Sequence, residues 1–193
     1  MGLFKKKWTP SQRAYAVVTG AGSGIGRSFS LELARRGGEV VCADINLAAA
    51  EETVKIIQAE TGQKASAVVC DVGDKVAVQT LSEQAEKLLN HPVTLLINNA
   101  GVGLGGKFDE VSLEDWQWCM HVNLWGVIHG CHFFVPKFKK QGYGAIINVA
   151  SAAGYTAAPE MTAYNVTKSS VLALSETLSA ELYPDNIRVN VLC

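Results

Sequence analysis

The chain has 193 residues, with 17 basic against 18 acidic residues for a formal net charge of −1, and 48% hydrophobic against 18% charged residues. This is the composition of a folded globular protein with a sizeable core, long enough for one domain, and it excludes an intrinsically disordered segment. Nothing in the global charge draws the chain to nucleic acid or to an anionic membrane.

Residues 1–13 read as a basic N-terminal arm ahead of one domain, 14–193. Met1-Gly2-Leu3-Phe4-Lys5-Lys6-Lys7-Trp8 has positive charge but no apolar segment after it, so it is not a secretory signal. Lys6 stands where a myristoylation motif wants Ser or Thr. Phe4, Trp8 and the lysines allow at most a weak membrane-surface contact. No stretch is long and apolar enough to span a bilayer.

From Ala14 onward, apolar runs alternate with helix-period segments, the pattern of βαβ units and a doubly wound α/β parallel sheet. Strands are predicted at 14–19, 39–44, 65–72, 93–98, 145–150 and 187–192. Helices are predicted from the glycine turn at 20–26 to about Arg36, from Ala48 to Thr61 with Gly62 as its stop, and after Asp74 to about Asn90. A long helix opens at the capping-box sequence Ser112-Leu113-Glu114-Asp115 and runs to about Phe138, and another runs from Met161 to Tyr183. Cys42, Cys70, Cys119, Cys131 and Cys193 form no C-x-x-C pair and read as reduced core thiols of a cytoplasmic protein. His91, His121, His129 and His132 make no ligand pattern with acids or thiols, so no metal site is predicted.

The segment Thr19-Gly20-Ala21-Gly22-Ser23-Gly24-Ile25-Gly26 lies between a strand and a helix. In that setting glycines let backbone N–H groups approach a pyrophosphate at the helix N-terminus. The spacing is G-x-x-x-G-x-G, since Ile25 occupies the place of the third glycine of G-x-G-x-x-G. Asp44 ends the second strand, where a carboxylate would accept hydrogen bonds from an adenosine ribose and repel a 2′-phosphate. Its neighbours in that region, Ser23 and Ile45, are neutral, which favours NAD over NADP. The plainer reading of Asp44 is a cap for the next helix.

Tyr164 and Lys168 are four apart, one turn apart on the same face of a helix. Free tyrosine titrates near pH ~10, and an ammonium beside a phenol favours its ionised form. Such a pair can move a proton on a substrate oxygen at neutral pH. Y-x-x-x-K is also a common surface pair.

Taken together, these motifs resemble those of the short-chain dehydrogenase/reductase family, a single-domain Rossmann fold. The likeness covers Ala14 to the C-terminus: T-G-x-x-x-G-x-G at Thr19–Gly26, Asp71 after the third strand, Asn98-Asn99-Ala100-Gly101 after the fourth, Asn123 in the long helix, Ser151 after the fifth strand, then Tyr164 and Lys168. The resemblance implies an oxidoreductase that moves a hydride between NAD(H) and an alcohol or carbonyl substrate. Tyr164 would be the acid/base, Lys168 its electrostatic partner and a ribose ligand, and Ser151 the group orienting the substrate oxygen. Asn123 would keep a water of a proton relay. Gly20, Ser23, Gly24, Ile25, Gly26 and Asp44 would hold the cofactor at one end and Asn99, Ala100 and Gly101 would line it, while Asp71 and Val72 would meet the adenine. Asn98 would tie adjacent strands together. Ser151 can also be read as a cap on the end of its strand, and Asn123 as a solvated helix residue.

Family members continue after the sixth strand with a Pro-Gly turn, a mobile lid, a further helix and a seventh strand, which this sequence does not show. The alternative reading is therefore a catalytically incomplete fragment or isoform that binds dinucleotide or pairs with a full-length subunit. Val102–Leu104, Ala152, Ala153, Tyr155 and the 157–161 loop are the candidate substrate lining, mostly small or apolar, which favours an apolar alcohol or ketone of small to medium size. The resemblance also implies a homodimer or homotetramer formed through the two long helices.

Overall fold

The computed structural model describes residues 13–193, so the readings of the N-terminal arm lie outside the described residues. Six strands form one parallel sheet: β1 (Tyr15–Thr19), β2 (Glu39–Asp44), β3 (Ala65–Val69), β4 (Leu95–Asn98), β5 (Gly144–Val149) and β6 (Ile187–Leu192), in the order β3-β2-β1-β4-β5-β6. The register sets Val17 beside Val41 and Leu96, and Leu96 beside Ile146.

Both faces of the sheet are covered, which is why its strands read as continuous apolar runs. Alternate side chains feed two cores. Val18, Val40, Cys42, Leu95 and Ile97 pack beneath α1 (Gly24–Arg35) and α2 (Leu47–Thr61). Val17, Val41, Leu96 and Ile146 pack against α3 (Lys75–Leu89), α5 (Gly126–Gln141) and α6 (Thr162–Leu182). Phe134 and Phe138 of α5 are fully buried in this second core. No helix among the described residues is long and apolar enough to cross a membrane.

Three differences from the sequence reading bear on the site. β3 stops at Val69 rather than Val72. Its partner β2 ends at Asp44, the last ladder contact is Cys70 N–H to Asp44 O (2.9 Å), and Asp71 then bends back to accept from Gly73 N–H (2.9 Å). The long helix is not uniform: α4 (Leu113–Met120) passes into a π-helical turn, His121–Trp125, before α5 begins. Ser112 does cap it, accepting from Asp115 N–H at 3.0 Å. Finally, four cysteines are buried as expected but Cys193, beyond the end of β6, is exposed.

Removing the Phe134 ring by Phe134→Ala is expected to lower stability by about 3–5 kcal/mol, seen as a lower urea midpoint; an unchanged midpoint would contradict the placement of α5.

Candidate active site

A cavity of about 810 Å³ opens at the carboxyl ends of β1, β2, β4 and β5. The order of the strands reverses between β1 and β4, and in open α/β sheets that divergence is where ligands bind. The sequence-predicted residues Gly20, Ser23, Gly24, Ile25 and Asp44 line one end. Asn99, Ala100 and Gly101 line its floor, Val72 its side, and Ser151, Tyr164 and Lys168 the other end.

The glycine turn is built to receive a ligand backbone-first. Gly24 has φ +52, and a Cβ there would meet nothing within 4 Å. Gly26 does not face the cavity; a Cβ on it would lie 2.1 Å from Gly20 O, so its role is to let α1 approach the turn. Ser23 caps α1 without a side-chain bond, and no acidic residue stands in the first turn. These free N–H groups and the positive end of α1 suit an anion such as a pyrophosphate.

Asp44 accepts from Gly22 N–H at 2.8 Å through Oδ2 and from Asn46 N–H at 2.9 Å through Oδ1. It is Asn46, not Asp44, that caps α2, accepting from Ala49 N–H at 3.2 Å. The surroundings of Asp44 are less neutral than the sequence suggests, because Arg27 of α1 returns to the turn. Its Nη2 donates to Gly22 O and its Nε to Thr53 Oγ1 at 3.0 Å. The contact with Gly22 is local, across the first turn of α1, whereas the one with Thr53 depends on α2 packing beside α1, which spacing alone conceals.

Beside β3, Asp71 is not on the cavity wall, its carboxylate being turned toward Gly73, whereas Cys70 and Val72 are. Burial first, then the Asp71 and Asp74 charges, push the Cys70 thiol up to about 12. It is therefore neutral and a poor nucleophile.

At the opposite end, Lys168 Nζ lies 5.6 Å from the centre of the Tyr164 ring and donates to Val149 O at 2.9 Å. Lys168 is 4% exposed, and burial pushes its ammonium below the usual lysine range. Ser151 Oγ accepts from Ala153 N–H (3.2 Å), capping a short 3₁₀ turn while still facing the cavity.

Asn123 is neither solvated nor on the wall. It is 1% exposed within the π-helical turn, and its amide clamps Val102 on both sides: Val102 N–H donates to Oδ1 at 2.7 Å and Nδ2 donates to Val102 O at 2.8 Å. With its amide so engaged, Asn123 fixes the loop after β4. A Cβ on Gly101 would lie 3.1 Å from Asn123 Oδ1 and 3.5 Å from Lys168 Nζ.

Of the predicted substrate lining, Val102, Gly103 and Ala152 face the cavity, but Leu104, Ala153, Tyr155 and the 157–161 loop do not. Sequence reasoning missed Trp118 and Val122. Their i, i+4 spacing, with Val122 next to Asn123, was the available signal. Among the described residues no cluster of His, Cys, Asp and Glu could hold a metal.

Residues 14–193 match the family model described as short chain dehydrogenase. The chain is 37% identical over 177 residues to the probable oxidoreductase EphD of Mycobacterium tuberculosis, spanning 91% of this chain but 30% of that protein. It is 37% identical over 176 residues to the cyclohexanol dehydrogenase of an Acinetobacter species, covering 91% of this chain and 69% of the relative. A crystal structure of a short-chain dehydrogenase/reductase from Burkholderia phymatum in complex with NAD superposes with a TM-score of 0.92 at 38% identity, over 96% of this chain and 66% of that one. A doubly wound sheet with a glycine turn and a Ser151, Tyr164, Lys168 cluster at opposite ends of one cavity thus has a family to match it, and the chain belongs to the short-chain dehydrogenase/reductases.

Proposed function

We propose that this chain is the catalytic unit of an NAD-dependent dehydrogenase or reductase acting on an apolar alcohol or ketone of small to medium size. The observation that carries the reading is the convergence of Tyr164, Lys168 and Ser151 at one end of the cavity whose other end holds the glycine turn and Asp44. The free N–H groups of the turn, the open space over Gly24 and the carboxylate of Asp44 fit a dinucleotide.

A bound nicotinamide would exchange hydride with the substrate carbon. The protein's own part is position and proton movement. Ser151 Oγ orients the substrate oxygen, and Tyr164 removes the hydroxyl proton in oxidation or returns it in reduction. Lys168, anchored on Val149 O, is a fixed positive charge beside Tyr164 and a donor for ribose hydroxyls. Asp44 takes the adenosine ribose hydroxyls and repels a 2′-phosphate; Arg27, donating to Gly22 O and Thr53 Oγ1, keeps its positive charge near the turn and tempers that repulsion. Val72, on the cavity wall, meets the adenine, and Asp71 shapes the turn beside it through Gly73 N–H. Val102, Val122, Trp118 and Ala152 leave an apolar wall, which supports a hydrophobic substrate; the cyclohexanol dehydrogenase relative is in keeping with this. A second copy packing on the two long helical segments is in keeping with the exposed Leu113 of α4, Trp125 of the π-helical turn and Val166 of α6.

Turnover of apolar secondary alcohols with NAD tests the reading. Tyr164→Phe is expected to lower it by about 10²-fold or more while NADH binding, followed by nicotinamide fluorescence, is kept; undiminished turnover would refute the assignment. Asp44→Ser is expected to reduce the preference for NADH over NADPH by about tenfold, the worth of one charge contact near the surface; an unchanged preference would remove Asp44 from cofactor choice.

Lys168 gives a pH signature. An unfolded lysine titrates near ~10.4, and the folded value lies below it because of burial. The cost of burying the ammonium is therefore full at neutral pH and fades as pH rises through the folded value toward ~10.4. Lys168→Met is expected to raise the urea midpoint of the cofactor-free protein near pH 7, by a margin that narrows as pH rises; a margin independent of pH would contradict this.

A further inference from the structure

We infer that His129 is a positioning residue for the adenine end of the cavity, holding the turn after β3 in the shape that presents Val72 N–H to the ligand. The inference rests on the proposed dinucleotide function. It starts from the way β3 ends. Beyond Cys70 the chain has no neighbouring strand to bond to, so the turn must be shaped by other contacts. Two successive peptide groups of the turn are fixed from outside the sheet. Asp71 O accepts from Asp74 N–H at 3.1 Å. Val72 O lies 2.9 Å from His129 Nδ1. A carbonyl can only accept, so Nδ1 carries the proton and donates.

The peptide plane is rigid and trans, so Val72 N–H points opposite to Asp71 O. That leaves Val72 N–H without a partner among the described residues, on a residue that lines the cavity and is itself 6% exposed. An N–H that no protein group satisfies is left for a ligand acceptor. An adenine ring nitrogen is an acceptor of the right kind.

The other contacts of the turn reinforce the same geometry. A Cβ on Gly126, three residues before His129, would lie 2.7 Å from Val72 Cγ2, so the first turn of α5 presses on Val72. The His121 ring lies against Gly73, where a Cβ would be 2.1 Å from its Cδ2. Trp125 stands beside His129 with ring centres 5.7 Å apart. The π-helical turn and the start of α5 therefore hold the adenine-side turn with His121 and His129, while Asn123 from the same segment holds Val102 on the catalytic side. His129, which in the sequence is one of four histidines with no ligand pattern, is the hydrogen-bonding member of this clamp.

The conservative pair His129→Asn and His129→Gln tests it. The Asn amide nitrogen can stand where Nδ1 stands, whereas the Gln amide nitrogen reaches the position of Nε2 instead. Dissociation constants are measured for NADH, for ADP-ribose, and for reduced nicotinamide mononucleotide, which lacks the adenosine half. His129→Gln is expected to weaken NADH and ADP-ribose alike by about fivefold, the worth of one hydrogen bond, and to leave the mononucleotide unchanged. His129→Asn is expected to restore the affinities of the parent protein. Equal behaviour of the two variants, or equal weakening of all three ligands, would overturn the inference, because a merely structural histidine would act so. If His129→Gln does not fold, His129→Leu is measured in its place with the same expectation; if neither folds while His129→Asn does, a parental NADH affinity in His129→Asn supports the inference and a weakened one overturns it. Failure of the parent protein to bind NADH or ADP-ribose would remove the proposed function and this inference with it, whereas binding by the parent and by His129→Gln with equal affinity would remove this inference alone.

Discussion

The site depends first on one hydroxyl. Thr19 Oγ1, at the end of β1, accepts from Asn99 N–H (3.0 Å) and Ala100 N–H (3.1 Å), while Asn99 Nδ2 donates back to Thr19 O (2.9 Å) and Gly20 O (3.3 Å). These bonds join the turns after β1 and β4, the two neighbouring strands whose connections leave in opposite directions. A parallel sheet opens a crevice at that point because its topology reverses there. The Thr19–Asn99 junction gives the crevice a closed, rigid floor, and the glycine turn rises from one side of it.

A second polar assembly fixes the catalytic side from within the core. Asn98 Nδ2 donates to Asn148 Oδ1 (2.9 Å), Asn148 Nδ2 donates to Ser175 Oγ (3.0 Å), and Ser175 Oγ donates to Val171 O (2.6 Å). The chain runs from β4 through β5 to α6, the element that carries Tyr164 and Lys168. Buried polar groups cost free energy unless paired, so such a chain specifies one relative placement of its elements. Asn98 Oδ1 is left without a partner over Gly130, where a Cβ would come within 2.1 Å of it. The contact with a bare glycine is what allows β4 and α5 to approach so closely.

Much of this was legible in the sequence because the informative residues are local. The glycine turn, Asp44, Ser151 and the Tyr164–Lys168 pair announce themselves by their place at a strand end or on one helix face, and the helix stops at Gly62 and Asn90 follow from backbone preference. The family's asparagine pair was legible too, and Asn98 does tie β4 to β5. What the sequence hid were the contacts decided by tertiary position. The end of β3 is set by where its partner β2 runs out, not by its own apolar run. Arg27 reaches Thr53 only once α2 has packed beside α1. Asn123 has the composition of a surface residue, and only the π-helical turn shows that it faces inward to clamp Val102. Cys193 has a core-like sequence neighbourhood yet lies exposed, because neighbourhood in sequence does not fix what covers a residue.

The π-helical turn has a mechanical meaning. An α-helix advances by about 100° per residue, so one extra residue would turn all that follows by that angle unless a widened turn absorbed it. α4 and α5 are therefore kept in phase across it: the first sets Cys119 into the interior, the second sets Val127, Phe134 and Phe138 into it. Deleting a single residue between His121 and Trp125 would remove the widened turn and leave the buried faces of α4 and α5 aligned, so the loss would fall on the seat of Asn123. What the extra residue adds is local: a widened turn that seats Asn123 against Val102, set between two helices whose buried faces stay aligned.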